Sequence, residues 1–381
     1  MTFPLPFPQD LHDAVPSGSG VLLGVSGGVD SSVALAALTA LGCRVHTVTL
    51  KNFCTSEGAF GGEGNTSCCS LDAIDAARRQ AAAAGVAHWV ANVEERFRER
   101  VIEPFVDEYR VGRTPNPCVG CNTWVRFPEL IRRADQLGLE FVATGHYARR
   151  LDGPQGPRLL RGVDPAKDQA YFLHGLEPTH LARCVFPLGW WTKPQVREAA
   201  AALGLESARR PESQEICFVP DDDRTFLFDE ADGRPGDIVD RAGRLLGRHR
   251  GLVHYTVGQR RGLGVAAGEP LYVLELDPVR NAVVAGTQDE LDVVSVRCDG
   301  CRWLRRPDVE RTAGLTAQIR HRHPGHAVAA LRLDGDRLTA DLAAPARGVA
   351  PGQFLVLADG DEILGGGRIL ATSPTTPGGR A

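Results

Sequence analysis

The stretch at residues 21–32, Val-Leu-Leu-Gly-Val-Ser-Gly-Gly-Val-Asp-Ser-Ser, restricts what this chain can fold into more than any other. The apolar run 21–25 reads as a buried strand. It breaks at Ser26-Gly27-Gly28, and an Ala/Leu-rich segment from about Asp30 to Leu41 reads as a helix. A strand, a Gly-rich turn and a helix N-terminus in that order make an anion site, because first-turn N–H groups and the positive end of the helix dipole converge on one point. Ser26, Ser31 and Ser32 add hydroxyl donors there, and Gly27 and Gly28 let an anion approach the backbone closely. No Gly-Lys-Ser/Thr follows, so the turn is not a Walker A loop. It does not fit the dinucleotide fingerprint Gly-x-Gly-x-x-Gly either.

The periodicity downstream repeats the same unit. Residues 44–50 alternate as a strand, 71–84 read as a helix stopped by Gly85, and 88–93 as a strand. Residues 94–111 form a charged amphipathic helix interrupted at Pro104, and 112–122 a Pro-rich loop. A helix at 127–137, closed by Gly138, and a strand at 141–144 follow. Such alternation predicts an α/β fold with a Rossmann-like, doubly wound parallel sheet whose ligands sit at the carboxyl ends of its strands. The turn after the first strand and Thr144-Gly145-His146-Tyr147 both fall at such ends. A helix at 193–203 is introduced by Thr192 and closed by Gly204. Beyond Asp223 the texture changes to short strands between Gly, Asp and Pro turns, and 292–370 read as six or more strands of a small β-barrel. The implied division is a phosphate-binding domain at 1–222, a linking domain at 223–288, a barrel at 289–372 and a flexible tail at 373–381.

Composition sets the setting. The chain has 381 residues, enough for two or three domains, and no apolar run near the roughly 20 residues a membrane span needs. Residues 1–16 carry no Lys or Arg and do not read as a signal peptide. Ten cysteines without a secretory signal point to a cytoplasmic protein whose thiols serve catalysis or metal binding. A formal net charge of −4 argues neither for nor against a nucleic-acid partner. Cys118 and Cys121, three residues apart, read as a redox pair, half a metal site or buried structural thiols. Cys217, beside Ile216 and Phe218, reads from its surroundings alone as a core residue.

Ser26-Gly-Gly-x-Asp-Ser-Ser32 resembles the PP-loop of the ATP pyrophosphatases, enzymes that split ATP between the α- and β-phosphates and adenylate an oxygen. Further motifs follow in order: Arg113-Thr-Pro-Asn-Pro117 with Cys121-Asn122, Ala143-Thr-Gly-His-Tyr147, Lys167-Asp-Gln-Ala-Tyr-Phe-Leu173 and Glu215-Ile-Cys-Phe218. The later pieces are His254-Tyr-Thr-Val-Gly-Gln-Arg-Arg-Gly-Leu-Gly264, Pro351-Gly-Gln353 and Leu364-Gly-Gly-Gly367. Together, over almost the whole chain, they resemble the tRNA-specific 2-thiouridylases. The resemblance implies ATP-dependent transfer of sulfur to C2 of the wobble uridine of tRNA.

Carried over position by position, it implies that Gly24, Val25, Ser26, Gly27, Gly28, Val29, Asp30 and Ser31 hold ATP, with Asp30 helping to bind Mg²⁺. Leu50 and Gly145 are further ATP contacts. Asn116, Pro117 and Cys118 lie where the target base enters. His146, Lys167, Asp168 and Gln169 contact tRNA, as do, on a looser match, Arg320, His321 and Gln353. Cys121 matches the nucleophilic cysteine and Cys217 the persulfide carrier. Plainer readings stand beside these: His146 as a turn histidine, Lys167 and Asp168 as a surface ion pair, Arg320 and Arg322 as the solvated face of a strand.

One departure is Cys118, where some members carry Asp. With it, Cys118, Cys121 and Cys217 are a candidate ligand set for a 4Fe–4S cluster that delivers sulfide, and the departure favours that route over a metal-free persulfide relay. The sulfur donor is open between a cysteine desulfurase or sulfur-relay protein and inorganic sulfide. Cys54, Cys68 and Cys69 read as incidental thiols of a Gly-rich loop, and Cys298 and Cys301 as structural. Two other functions compete: another PP-loop adenylating enzyme with a different acceptor, and a non-catalytic tRNA-binding protein with structural ATP.

Overall fold

The computed structural model describes residues 3–53, 71–209, 216–219, 223–265 and 267–374. The chain divides into two compact units, one made of Met1–Val101, Cys118–Asp223 and Asp361–Ile363, the other of Ile102–Pro117, Arg224–Gly360 and Leu364–Ala381. Cys54, Cys68 and Cys69, most of the segment before Cys217, and residues 375–381 lie outside the described residues.

The first unit begins with α1 (Gln9–Ala14), β1 (Gly20–Gly24), α2 (Val29–Ala40), β2 (Arg44–Lys51), α3 (Leu71–Ala83) and β3 (His88–Asn92). Residues 94–110 form α4 (Glu94–Phe97), a π-helical turn (Arg98–Ile102) and α5 (Glu103–Arg110), the last of which clusters with the second unit. The expected interruption at Pro104 is therefore a widened turn just before it. A proline has no N–H for the carbonyl four residues back, so the ladder shifts by one there. Next come α6 (Pro117–Gly120), a second π-turn (Cys121–Arg126), α7 (Phe127–Leu137), β4 (Phe141–Ala143), β5 (Ala148–Gly153), β6 (Gly156–Arg161), α8 (Pro178–Leu181), β7 (Cys184–Val185) and α9 (Lys193–Ala202). Residues 117–122, expected as loop, are thus helical, and the helical run continues to 126 and directly into α7.

Five parallel strands in the order β3-β2-β1-β4-β7 form the sheet of this unit. Val21, Leu22 and Leu23 of β1 are fully buried, as a strand covered on both faces requires. Below them Val33, Ala34, Ala37 and Leu38 of α2 pack with Val196, Ala199 and Ala200 of α9. The chain order reverses at β1, whose neighbours are β2 on one side and β4 on the other. A crevice opens outside the carboxyl ends of strands at such a point.

In the second unit, β8 (Gly236–Val239), β9 (Leu245–His249), β10 (Tyr272–Asp277) and β11 (Ala282–Gly286) form a sheet of order β10-β11-β8-β9 around Ile238, Val273 and Val283. The last six strands are β12 (Asp292–Trp303), β13 (Leu315–Gln318), β14 (His326–Asp334), β15 (Arg337–Arg347), β16 (Phe354–Asp359) and β17 (Glu362–Pro374). They run in the order β12-β15-β14-β13-β16-β17, and antiparallel pairing of β12 with β17 closes them into a barrel. Closure leaves no unpaired edge, and Val296, Leu331, Leu338, Leu355, Leu357 and Ile369 fill the interior. β17 extends to Pro374, two residues into the stretch expected to be tail.

Candidate active site

The turn after β1 is shaped by its glycines. Gly27 has φ +72°, and a Cβ there would lie 2.5 Å from the Ala73 carbonyl oxygen of α3. Only glycine meets both demands without strain. Gly28, with extended backbone at the N-cap, aims the first-turn amides of α2 at the crevice. Its carbonyl accepts from the hydroxyls of Ser31 at 3.1 Å and Ser32 at 2.8 Å, while Ser31 Oγ accepts from the Ser26 amide at 3.3 Å. Gln80 of α3 donates to the Gly27 carbonyl at 3.2 Å, and Ser207 Oγ donates to Ser32 Oγ at 2.9 Å. The hydroxyls of Ser31 and Ser32, expected as ligand donors, here brace the turn itself.

Gly145, after β4, packs against the start of α2: a Cβ would stand 3.3 Å from Asp30 Cβ and the Ser31 amide nitrogen. The turns of the two central strands therefore close on each other at the switch point. Leu50 lies near the carboxyl end of β2, paired with Ala91 of β3. Asp30 is the charged centre of this group. Its carboxylate accepts from Lys193 Nζ at 2.7 and 2.8 Å and from the Tyr147 hydroxyl at 2.8 Å. The sequence reading missed Lys193. Its signal was its place at the first position of a helix whose Thr192/Gln195 capping box fixes where the side chain starts.

A second network runs from the cysteine turn to the same crevice. Cys121, 6% exposed, opens the π-turn, and the next residue, Asn122, donates to the Phe172 carbonyl at 3.1 Å. Arg126 donates to Asn122 Oδ1 at 2.7 Å and reaches His146 Nε2 at 3.4 Å, and His146 Nδ1 lies 2.7 Å from Thr144 Oγ1. An arginine always donates, so Nε2 accepts and Nδ1 carries the proton. Burial, reinforced by the Arg126 charge, pushes the His146 pKa down to about 3. The imidazole is therefore neutral at every physiological pH. One extra residue per turn is a common device for re-aiming side chains at functional sites. Here it follows from Pro117 upstream and Phe127-Pro128 downstream, which disturb the regular ladder at both ends.

The remaining site residues are distributed as follows. Asp168 is buried and accepts from Arg161 Nη1 at 3.1 Å and from the amides of Gly162 and Ala170 at 3.0 and 3.1 Å. Gln169 Oε1 accepts from the Tyr147 amide at 3.0 Å, and Lys167 is half-buried in the same turn. Cys118 and Cys217 are half-buried thiols. Among the described residues no group of three or more His, Cys, Asp or Glu side chains is arranged to hold a metal ion. Cys118, Cys121 and Cys217 do not form such a group. Burial pushes the Cys43 thiol up to about 11, Cys301 up to about 12, and Cys184 and Cys298 well above the usual thiol range, which leaves these four protonated at neutral pH.

In the second unit, Gln353 donates to the Thr114 carbonyl at 2.9 Å, and the Thr114 amide donates to Pro351 at 2.8 Å. These bonds brace the segment that leads to Asn116 and Pro117, both of which are poorly exposed. Arg320 and Arg322 are exposed but lie in the turn between β13 and β14, with Arg322 at φ +63°, rather than on a strand face; His321 between them is half-buried.

Comparison with known proteins accords with this arrangement. The family described as tRNA methyl transferase HUP domain matches residues 19–221, tRNA methyl transferase PRC-barrel domain residues 224–287, and aminomethyltransferase beta-barrel domain residues 294–369. The tRNA-specific 2-thiouridylase MnmA of Geobacter metallireducens is 47% identical over 92% of this chain and 96% of its own. The proteins of the same description from Chloroflexus aggregans and Heliobacterium modesticaldum are 46% and 44% identical, again over 92% of this chain, and over 98% and 92% of theirs. Identity at this level along nearly the full length, with a Gly-rich anion turn at the switch point of a parallel sheet, places the chain in the tRNA-specific 2-thiouridylase family.

Proposed function

We propose that this chain uses ATP to replace the C2 oxygen of the wobble uridine of tRNA with sulfur. The observation that carries the reading is the Ser26–Ser32 turn at the β1/β4 switch point, within a chain that matches a 2-thiouridylase over 92% of its length. The uridine C2 oxygen is a poor leaving group. It attacks the α-phosphorus of ATP, the bond to the bridging β-oxygen breaks, and pyrophosphate departs. The turn amides of α2 and the glycines of 24–28 hold the phosphates, with Leu50 and Gly145 lining the nucleoside side. The Asp30 carboxylate is a hard oxygen donor of the kind Mg²⁺ uses beside nucleotide phosphates, and the ion would supply charge neutralisation when bound.

Cys217 carries a persulfide whose outer sulfur is transferred from the persulfide of a desulfurase or relay protein, the donor's thiol leaving; inorganic sulfide supplies it only by attacking Cys217 Sγ of the Cys121–Cys217 disulfide, which releases the Cys121 thiolate. Its terminal sulfur attacks the activated C2, a carbon–sulfur bond forms, and the carbon–oxygen bond to AMP breaks. The Cys121 thiolate then attacks Cys217 Sγ, which frees the 2-thio group and leaves a Cys121–Cys217 disulfide for an external dithiol to reduce. This metal-free route is proposed in place of the cluster that the Cys118 departure favoured. Asn116 and Pro117 flank the target base, and His146, Lys167, Asp168, Gln169, Arg320, His321 and Gln353 belong to the segments that face tRNA. The chain is read as three domains, at 1–222, 223–288 and 289–372.

The test is anaerobic incubation with ATP, Mg²⁺, a sulfide source and unmodified tRNA, followed by mass spectrometry of the nucleosides. An ATP-dependent 2-thiouridine at the wobble position, absent in Cys121→Ser and Cys217→Ser, supports the proposal. AMP and pyrophosphate without any thiolated uridine, or full activity in both Ser variants, overturns it.

A further inference from the structure

The geometry points to Lys193 as an ATP-site residue: we propose that it holds Asp30 in the empty site and transfers to the β- and γ-phosphates when nucleotide enters. This deepens the function proposed above and rests on it.

The Lys193 side chain is 8% exposed, and its Nζ lies 2.7 and 2.8 Å from the two oxygens of Asp30, whose side chain is 35% exposed. An ammonium is strongly hydrated, so withdrawing it from water is costly unless an anion meets it. Asp30 has less need of the lysine. It sits in the first turn of α2, where the helix dipole already favours a negative group, and Tyr147 donates to it as well. The cation therefore exceeds what that carboxylate requires. It is also delivered deliberately: the Lys193 amide donates to Asp164 at 2.8 Å, the capping box fixes the start of α9, and Nζ lies 5.7 Å from the centroid of the Tyr147 ring.

The position suits a polyphosphate. Anything bound by the first-turn amides of α2 meets Asp30, and a carboxylate beside a triphosphate repels it. Lys193 cancels that repulsion before binding. A flexible four-carbon stem with three donors can then turn from the carboxylate to a phosphate oxygen, which leaves Asp30 to the divalent ion. In the adenylation step the electron pair of the breaking bond goes to the departing pyrophosphate. The ammonium meets that growing charge without giving up a proton.

The experiment is equilibrium binding of ATP and of AMP to the full chain, in the parent, Lys193→Met, Lys193→Arg, Asp30→Asn and the Asp30→Asn/Lys193→Met double variant, with a melting curve for each. Loss of one charge-assisted contact predicts ATP binding weakened by about tenfold or more in Lys193→Met, with AMP affinity unchanged. Lys193→Arg restores part of it, and the loss persists in the Asp30→Asn background, where no carboxylate is left for the lysine to hold. Equal losses for ATP and AMP, or no effect of Lys193→Met once Asp30 is Asn, overturn the assignment. A parent chain that binds no ATP removes the functional reading itself, whereas a parent that binds ATP with Lys193→Met unchanged removes only this role.

Discussion

Gly27→Ala separates the two reasons why the anion turn needs glycine. At φ +72° an alanine is in the left-handed region, which costs about 1–2 kcal/mol. The new Cβ would also stand 2.5 Å from the Ala73 carbonyl oxygen and 3.2 Å from Ala76 Cβ, contacts closed by the backbone of α3 rather than by a mobile side-chain end. Relieving them means moving the turn or the helix by several tenths of an ångström, an overpacking cost of roughly 1–3 kcal/mol. The sum is about 2–5 kcal/mol, or roughly 4–20 °C in the melting temperature of a domain of this size. Gly85→Ala is the control. It has nearly the same φ, +67°, but nothing within 4 Å of its Cβ, so only the conformational cost of about 1–2 kcal/mol applies. Both variants would be melted by near-ultraviolet circular dichroism and titrated with ATP. Gly27→Ala is expected to melt well below Gly85→Ala and to lose ATP affinity, because displaced amides no longer converge. If the two melt within about 2 °C of each other and bind ATP equally, the close-approach argument is wrong.

Three further outcomes are expected. His146 stays neutral in the fold down to a pKa of about 3 but takes a proton near 6.5 when unfolded, so its contribution to stability is complete above pH 6.5 and falls as pH drops towards 3. Denaturant titrations at pH 7.5 and 5.5 should differ by about 1 kcal/mol less in His146→Gln than in the parent, and an unchanged difference refutes the assignment. Asp168→Ala strands the Arg161 guanidinium and two amides, and should cost roughly 2–4 kcal/mol in thermal or denaturant unfolding; a loss of tRNA binding at unchanged stability would contradict that architecture. Iodoacetamide at pH 7.5 should leave Cys184 and Cys298 unlabelled in the native protein by peptide mass spectrometry, and rapid labelling of either contradicts its burial.

Local chemistry carried much of the plan. The run 21–32 states a strand, a turn that demands glycine and a helix start, and the structure has β1, the turn and α2 there within one residue. The repeated strand–helix order through 44–50, 71–84, 88–93, 127–137 and 141–144 specified a parallel sheet, because parallel neighbours need a crossover between them. The closing barrel was legible as short strands between Gly and Asp turns, and six strands form it. Residues 117–122 were misread for an equally local reason. Proline and glycine signal a loop, yet Pro117 starts a helix, where its missing N–H costs nothing, and tertiary packing of Val119 and Val125 completes it.

The sequence by itself determined the elements and the turn after the first strand, since each follows from spacing and side-chain type within a few turns of chain. Only the tertiary structure decided their partners. It brought Lys193 to Asp30 across 163 positions, set Arg126 against His146 and enclosed Asp168 among its own neighbours. Distances between residues far apart in sequence depend on how helices pack on the sheet, which side-chain pattern restricts but does not fix.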